Sequence, residues 1–257
     1  GFIIFDNALT TEEIEAAKAD LRSVLEAALE GTNIEIVRPA AKEGKHNYGG
    51  VIYRSTERGG ALDNHLFTQL EAGFDPDGKT IDEIDGKVRK FAWFEDSSPL
   101  FHSLYTDHPR VTGVVRSLLG NDIDLYQSMA LVKPPNGGSE KPWHQDNAYF
   151  STADLDKVTG VWIALDDATV ENGCMHFIRG GHRGGPLKHH HTTDCKILPG
   201  RIDPDTAVAA EIRAGSAIFF HGNIPHFTPR NNSARRRRAL QYHFRAKQNA
   251  VISREEY

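Results

Sequence analysis

Cysteine is almost missing from this chain. Two thiols, Cys174 and Cys195, in 257 residues are too few for a disulfide framework or a thiolate zinc cage. Both read as inert. A basic surplus is missing too. The 30 Lys plus Arg stand against 35 Asp plus Glu, a formal net charge of -5, which argues against a nucleic-acid binder with its basic footprint. The longest apolar runs, such as residues 215–220, fall far short of a membrane span. No linker, internal repeat or low-complexity tract interrupts the chain, and the runs at 188–191 and 235–238 are too short to act as charged tails. No secretory leader pattern precedes the first element, so the expected setting is cytoplasmic and reducing, with neither nucleic acid nor membrane as partner.

What is present is an ordinary globular composition, 39% hydrophobic and 25% charged, long enough to bury a sizeable core. The expectation is a single domain over residues 1–257. Residues 2–5 form a short apolar strand, and Thr10-Thr11-Glu12-Glu13 has the form of a capping box. Ile14, Ala17, Leu21, Val24, Leu25, Ala28 and Leu29 then repeat at helical spacing and predict a helix packed on a core, ended by Gly31. Residues 32–85 carry turn signals at 49–50, 59–60 and 75–78 but no order that periodicity settles. A second helical region spans about 99–119, broken at His108-Pro109 and stopped by Gly120.

From residue 122 the period changes. Segments 122–132, 159–165, 174–178, 211–212, 216–220 and 238–244 are short, β-branched or aromatic, and separated by turns. The run 161–165 is apolar at every position, so both its faces should be covered. Helices followed by seven or eight short strands predict an α+β, mainly β fold with a closed or double-sheet core such as a jelly roll. The helical part covers about 1–120 and packs on one sheet; the β core covers about 121–246.

The stretch KPPNGGSEKPWHQDNAYF, residues 133–150, holds the chemistry. His144 and Asp146 are two apart, so on a strand or its end both point the same way. One imidazole and one carboxylate make two-thirds of a 2-His-1-carboxylate facial triad for non-haem Fe(II). The third ligand must come from elsewhere, and the stretch FFHGNIPHFT offers His221 and His226. Arg237 follows His226 by eleven residues. A dicarboxylate co-substrate needs a fixed cation, and arginine supplies a planar fork that lysine cannot. If Arg237 faces the barrel interior, so do Ala239, Gln241 and His243, while Arg238, Leu240, Tyr242 and Phe244 face out. Arg235 and Arg236 read as a solvated edge.

The blocks HQDNAYF, GVWIALDDATVENGCMHFIRGGH and FFHGNIPHFTPRNNSARRRRAL, with the opening GFIIFDNALTTEEI, resemble the signature blocks of the phytanoyl-CoA dioxygenase family. Three ordered blocks at matching spacing are far more specific than any one motif. The resemblance implies a double-stranded β-helix (jelly-roll, cupin-like) fold and dependence on Fe(II), 2-oxoglutarate and O2, with ascorbate as reductant. It implies His144, Asp146 and His226 as iron ligands and Arg237 as the clamp on the distal carboxylate of 2-oxoglutarate. Thr228 would support that carboxylate, Trp162 and Met129 would line the co-substrate pocket, and a lysine before the barrel, taken as Lys87 over Lys90, would also reach it. Phe227, Arg230 and His182 depart from the family pattern and are expected at the rim. The residues 178–204, rich in Gly, His and Arg, read as a lid over a polar or anionic small-molecule substrate.

The reaction that this resemblance implies is hydroxylation of a C–H bond, with release of succinate and CO2. Two other readings compete. A cupin-like metalloenzyme without 2-oxoglutarate would not need Arg237. A catalytically silent ligand-binding module should have lost a ligand, and none is missing.

Overall fold

The structure, a computed structural model, describes residues 1–39, 49–191 and 194–252. The chain opens with β1 (Phe2–Phe5) and α1 (Thr11–Glu30), then adds β2 (Ile34–Val37), β3 (Ile52–Ser55), β4 (Phe67–Leu70), α2 (Ile81–Asp85) and β5 (Val88–Ala92). Next come α3 (Pro99–Thr106), α4 (Thr112–Leu119), β6 (Ile123–Lys133), β7 (Lys141–His144), β8 (Val158–Ala164) and β9 (Met175–Ile178). The last strands are β10 (His189–His191), β11 (Cys195–Ile197), β12 (Ala207–Ala210), β13 (Ala217–His221), β14 (His226–Thr228) and β15 (Arg237–Ala246).

Two antiparallel sheets face each other. The major sheet has nine strands in the order β1-β13-β8-β15-β6-β5-β4-β3-β2, and the minor sheet has four, β12-β9-β14-β7. The fold is the expected jelly roll. α1 forms where its sequence says it should: Thr10 accepts from the Glu13 backbone while the Glu13 carboxylate accepts from the Thr10 N–H. Such a cap stabilises a helix by about 1 kcal/mol. Its apolar stripe, Ile14 to Ala28, is buried against the outer face of the major sheet together with Phe94, Phe101, Val115, Leu240, Tyr242 and Phe244. A second, smaller core lies between the sheets and contains Trp162, Ala164, Phe177, Ile218, Phe220 and Ala239. Strand β8 is buried on both sides because it separates the two cores.

The N-terminal part departs from the helical expectation. Among the described residues of 34–92, four strands extend the major sheet as a meander, and the helix between them is the five-residue α2. These strands are four or five residues long, too short for a period-2 pattern to stand out. The expected strand at 211–212 is also corrected. Pairing there falls on Ala207–Ala210 against β9, and Ile212 makes only an isolated bridge to Ala168. Alanine has little strand preference, so the AVAA run gave no signal. The break between α3 and α4 at residues 107–111 and the stop at Gly120, where φ is +98°, match the sequence expectation.

Candidate metal centre and co-substrate pocket

His144 and His226 sit on adjacent strands of the minor sheet and pair directly in register. Their rings are 4.1 Å apart. Asp146 follows on the short 3-10 turn Asp146–Tyr149, which leaves the sheet and brings the carboxylate between them. That turn packs against Gly222, whose carbonyl accepts from the Asn147 N–H; a Cβ there would lie 2.1 Å from the Asn147 side chain. All three ligand atoms lie within 4.8 Å of one another, and all three residues are buried.

The donor set fits a divalent metal. The Nδ1 atoms of His144 and His226 lie 2.7 and 3.0 Å from the carbonyls of Pro142 and Ile224. A carbonyl only accepts, so both Nδ1 atoms carry protons and both Nε2 atoms present lone pairs. These face Asp146 Oδ1 at 3.4 and 3.6 Å. Burial and the neighbouring His144 push the His226 pKa down to about 3, so this ring is neutral. Burial pushes the Asp146 carboxyl up, but the neighbouring His243, whose Nε2 lies 2.7 Å from Oδ2, holds it well below the usual carboxylate range. Two lone pairs and a carboxylate converging in an apolar setting repel one another unless a cation lies between them.

Asp146 is held from behind. His243 is 0% exposed, and its Nε2 lies 2.7 Å from Asp146 Oδ2. Gln241 reaches both His243 Nε2 at 3.1 Å and Asp146 Oδ2 at 3.4 Å. With Oδ2 occupied, Oδ1 alone faces the two histidines. Strand parity on β15 anticipates that both residues face inward, but no motif marks either as a partner of Asp146.

Arg237 faces the same interior. It is 1% exposed, its guanidinium lies 5.1 Å from the Trp162 ring, and its polar contact is one long bond of 3.4 Å to the Leu131 carbonyl. Its Nε has no partner, and no carboxylate pairs with it among the described residues. Burial lowers its pKa to about 10. Arg236 and Arg238 behave oppositely. Arg236 forks onto Asp85, and Arg238 onto Asp166. The solvated-edge reading therefore fails for Arg236 and holds for the exposed Arg235.

Thr228 is buried on β14, on the same side as His226. Trp162 is fully buried and lies opposite Gln241, with its indole N–H unpartnered; Met129 flanks Gln241 on the other side. Lys87 is not brought to this pocket. It lies exposed before β5, whereas Lys90 pairs with Leu131, next to the strand that carries Arg237, and its pKa is lowered to about 8 by burial and by Lys141 and Arg89. A register shift between Gln69 and Leu70 offsets this edge of the sheet. His221 lies apart from the triad, 3.3 Å from Asp156. Phe227 stacks on Trp143 at 5.2 Å, on the outer face of the minor sheet, and Arg230 is exposed. Phe227 thus points away from the metal pocket, and the His182 ring lies 5.1 Å from that of His221. The side chain of His191 lies outside the described residues.

Gln145, between two of the candidate ligands, turns the other way. Its side chain donates to the carbonyls of Gly185 and Asn223 and accepts from the Leu187 N–H, and its backbone N–H donates to His189. It thereby fastens the flap that runs from residue 185 into the β10–β11 hairpin.

A double-stranded β-helix with two histidines and one carboxylate between its sheets is the architecture of the non-haem iron oxygenases. Residues 1–239 match the phytanoyl-CoA dioxygenase (PhyH) family, and the chain belongs to that family. A phytanoyl-CoA dioxygenase domain-containing protein 1 of Danio rerio is 27% identical over all of this chain and 90% of its own. A homolog of that protein from Caenorhabditis briggsae is 26% identical over all of this chain and 91% of its own. Among solved structures, EvdO2 from Micromonospora carbonacea var. aurantiaca, complexed with 2-oxoglutarate, superposes with a TM-score of 0.64 at 23% identity, covering 98% of this chain and 89% of that one. EctD from S. alaskensis, with 2-oxoglutarate and 5-hydroxyectoine, gives 0.64 at 19% identity, covering 98% and 74%. Among the described residues no helix is long and apolar enough to cross a membrane.

Proposed function

We propose that the protein is an Fe(II)- and 2-oxoglutarate-dependent oxygenase that hydroxylates a C–H bond of a small molecule, with release of succinate and CO2. One observation carries the reading: a buried His-Asp-His cluster shares an interior with a buried guanidinium that has no carboxylate partner among the described residues. A buried charge left without a counter-ion is costly. A dicarboxylate that reaches both the metal and Arg237 removes that cost.

His144, Asp146 and His226 would hold the iron, which when bound supplies the activation of O2 and of the co-substrate. The chain's own part is to bind, orient and keep dry. Nδ1–H donation to backbone carbonyls fixes both imidazoles with Nε2 inward. His243 and Gln241 hold Asp146 on one oxygen, which leaves coordination positions open. Arg237 forks onto the distal carboxylate beside Thr228, and Trp162 and Met129 wall the pocket. Of the two lysines in KVRKF we take Lys90, which pairs with Leu131 on the neighbouring strand, over the exposed Lys87 as the one that adds positive charge there.

An iron cupin that does without 2-oxoglutarate leaves Arg237 unexplained, and a silent module leaves the intact triad unexplained. Succinate formation, measured with Fe(II), ascorbate and 2-oxoglutarate across a panel of small molecules, tests the reading. Asp146→Ala should abolish turnover while the protein stays folded, and Asp146→Glu should be poor, because such sites require placement within about 0.5 Å. Full turnover by Asp146→Ala at saturating iron would refute the ligand set.

A further inference from the structure

A second charged group lies beside the metal centre and takes no part in holding metal or 2-oxoglutarate. Lys141, at the start of β7, points inward because the register shifts between His226 and Thr228, so Thr228 rather than Pro229 lies opposite it. Its Nζ donates to the Tyr149 hydroxyl at 2.8 Å and to Asp194 Oδ1. Arg89 approaches the other oxygen, Oδ2, at 3.5 Å. The Tyr149 ring lies 6.2 Å from the His144 ring, so this group stands one side chain away from the candidate ligand.

The charges do not balance. Asp194 is the one carboxylate that pairs with either cation among the described residues. Asp194 sits on the flap, at the foot of β11, and the flap does not need it for anchorage. Gln145 already holds residues 185–189, and the Cys195 N–H donates to the Tyr149 hydroxyl at 2.9 Å. A flap carboxylate held one oxygen to each of two cations, next to a metal pocket and unnecessary for docking the flap, occupies the place of a ligand. Its planar two-oxygen geometry specifies a carboxylate.

We infer that Lys141, Arg89 and Tyr149 form a seat for a carboxylate on the molecule to be oxidised, and that Asp194 fills the seat until that molecule displaces it. The inference rests on the oxygenase reading for the word oxidised, but the seat itself can be tested apart from turnover. Side-chain exposures of 31% for Lys141, 24% for Arg89 and 29% for Asp194 leave it open to entry from solvent.

The test loads the full chain with Zn(II) and saturates it with 2-oxoglutarate, so that Arg237 is occupied. Hexanoate, and hexanamide as its uncharged counterpart, are then titrated by calorimetry into wild type, Asp194→Asn and Asp194→Asn/Lys141→Gln. Asp194→Asn should bind hexanoate about tenfold more tightly or better, because a seat open about a tenth of the time weakens apparent affinity by that factor. Hexanamide should not share the gain, and adding Lys141→Gln should remove it. Equal hexanoate affinity in wild type and Asp194→Asn overturns the seat, as does a gain that hexanamide shares. Asp194→Ala serves as the second variant if Asn still bridges the two cations. If 2-oxoglutarate fails to bind the Zn(II) form, the co-substrate reading fails, and the same series in an Arg237→Ala background still decides the seat.

Discussion

Replacing Arg237 separates co-substrate binding from metal binding and from fold. The guanidinium is 1% exposed, makes one 3.4 Å bond to a carbonyl and does not touch the triad. Each hydrogen bond between charged partners is worth roughly 1.5–3 kcal/mol. Arg237→Lys keeps the charge but loses one arm of the fork, which implies about 10- to 100-fold weaker 2-oxoglutarate binding. Arg237→Ala loses both arms and should weaken it by about 100- to 10000-fold. Iron affinity should be unchanged in both. The control is Arg235→Ala, since Arg235 is exposed, whereas Arg236 is tied to Asp85 and its loss would perturb α2. The assay is anaerobic titration of 2-oxoglutarate into the Fe(II) forms, read by the visible charge-transfer band. Thermal melts give a second readout. Wild type at about 100 times its dissociation constant should gain about 2.7 kcal/mol from the ligand, and Arg237→Ala should gain almost none. Equal affinities for Arg237→Ala and Arg235→Ala would refute the reasoning, and with it the inward orientation of this side chain in solution.

His243→Phe removes the 2.7 Å contact behind Asp146 and should lower metal affinity by about 10- to 100-fold; His243→Gln, which can still donate, should recover part of that in a competitive chelator titration. Lys90→Ala should weaken 2-oxoglutarate binding, while Lys87→Ala should not. The Lys90 effect should also depend on pH: with a pKa lowered to about 8, the residue is charged below that value and attracts the anion. Affinity should therefore fall as pH rises through 8 in wild type and stay flatter in Lys90→Arg; the reverse slope would refute this.

Much of the site was legible because it sits on strands with clean period-2 alternation. The parity of β15 placed Arg237, Gln241 and His243 on one face and Leu240, Tyr242 and Phe244 on the other, and the helix-facing core contains those three apolar residues. The readings that failed lie on strands too short for a period to show, as between residues 34 and 92, and on the alanine-rich Ala207–Ala210. The ladder also slips at Gln69 and Leu70, beside Lys90, and at His226 and Thr228, where Lys141 turns inward. A bulge adds one residue to one strand, and nothing in local composition announces it. The partnership of Asp146 with His243 was invisible for another reason, since it joins residues 97 apart whose contact exists only once both sheets are closed.

Three of the four consecutive arginines at the start of β15, Arg236 to Arg238, also bear on how the strand finds its place. Arg236 and Arg238 leave the outer face for Asp85 and Asp166 while Arg237 goes inward alone. A slip of one residue would invert every side chain on the strand. It would force one of the paired arginines into the pocket without its carboxylate, bring Arg237 out with none waiting, and turn Tyr242 and Phe244 from beneath the helices toward the metal. A run of arginines looks degenerate, but its surroundings make these three positions non-equivalent. The same carboxylates that tether the outer pair therefore proofread the alignment that leaves one bare cation inside.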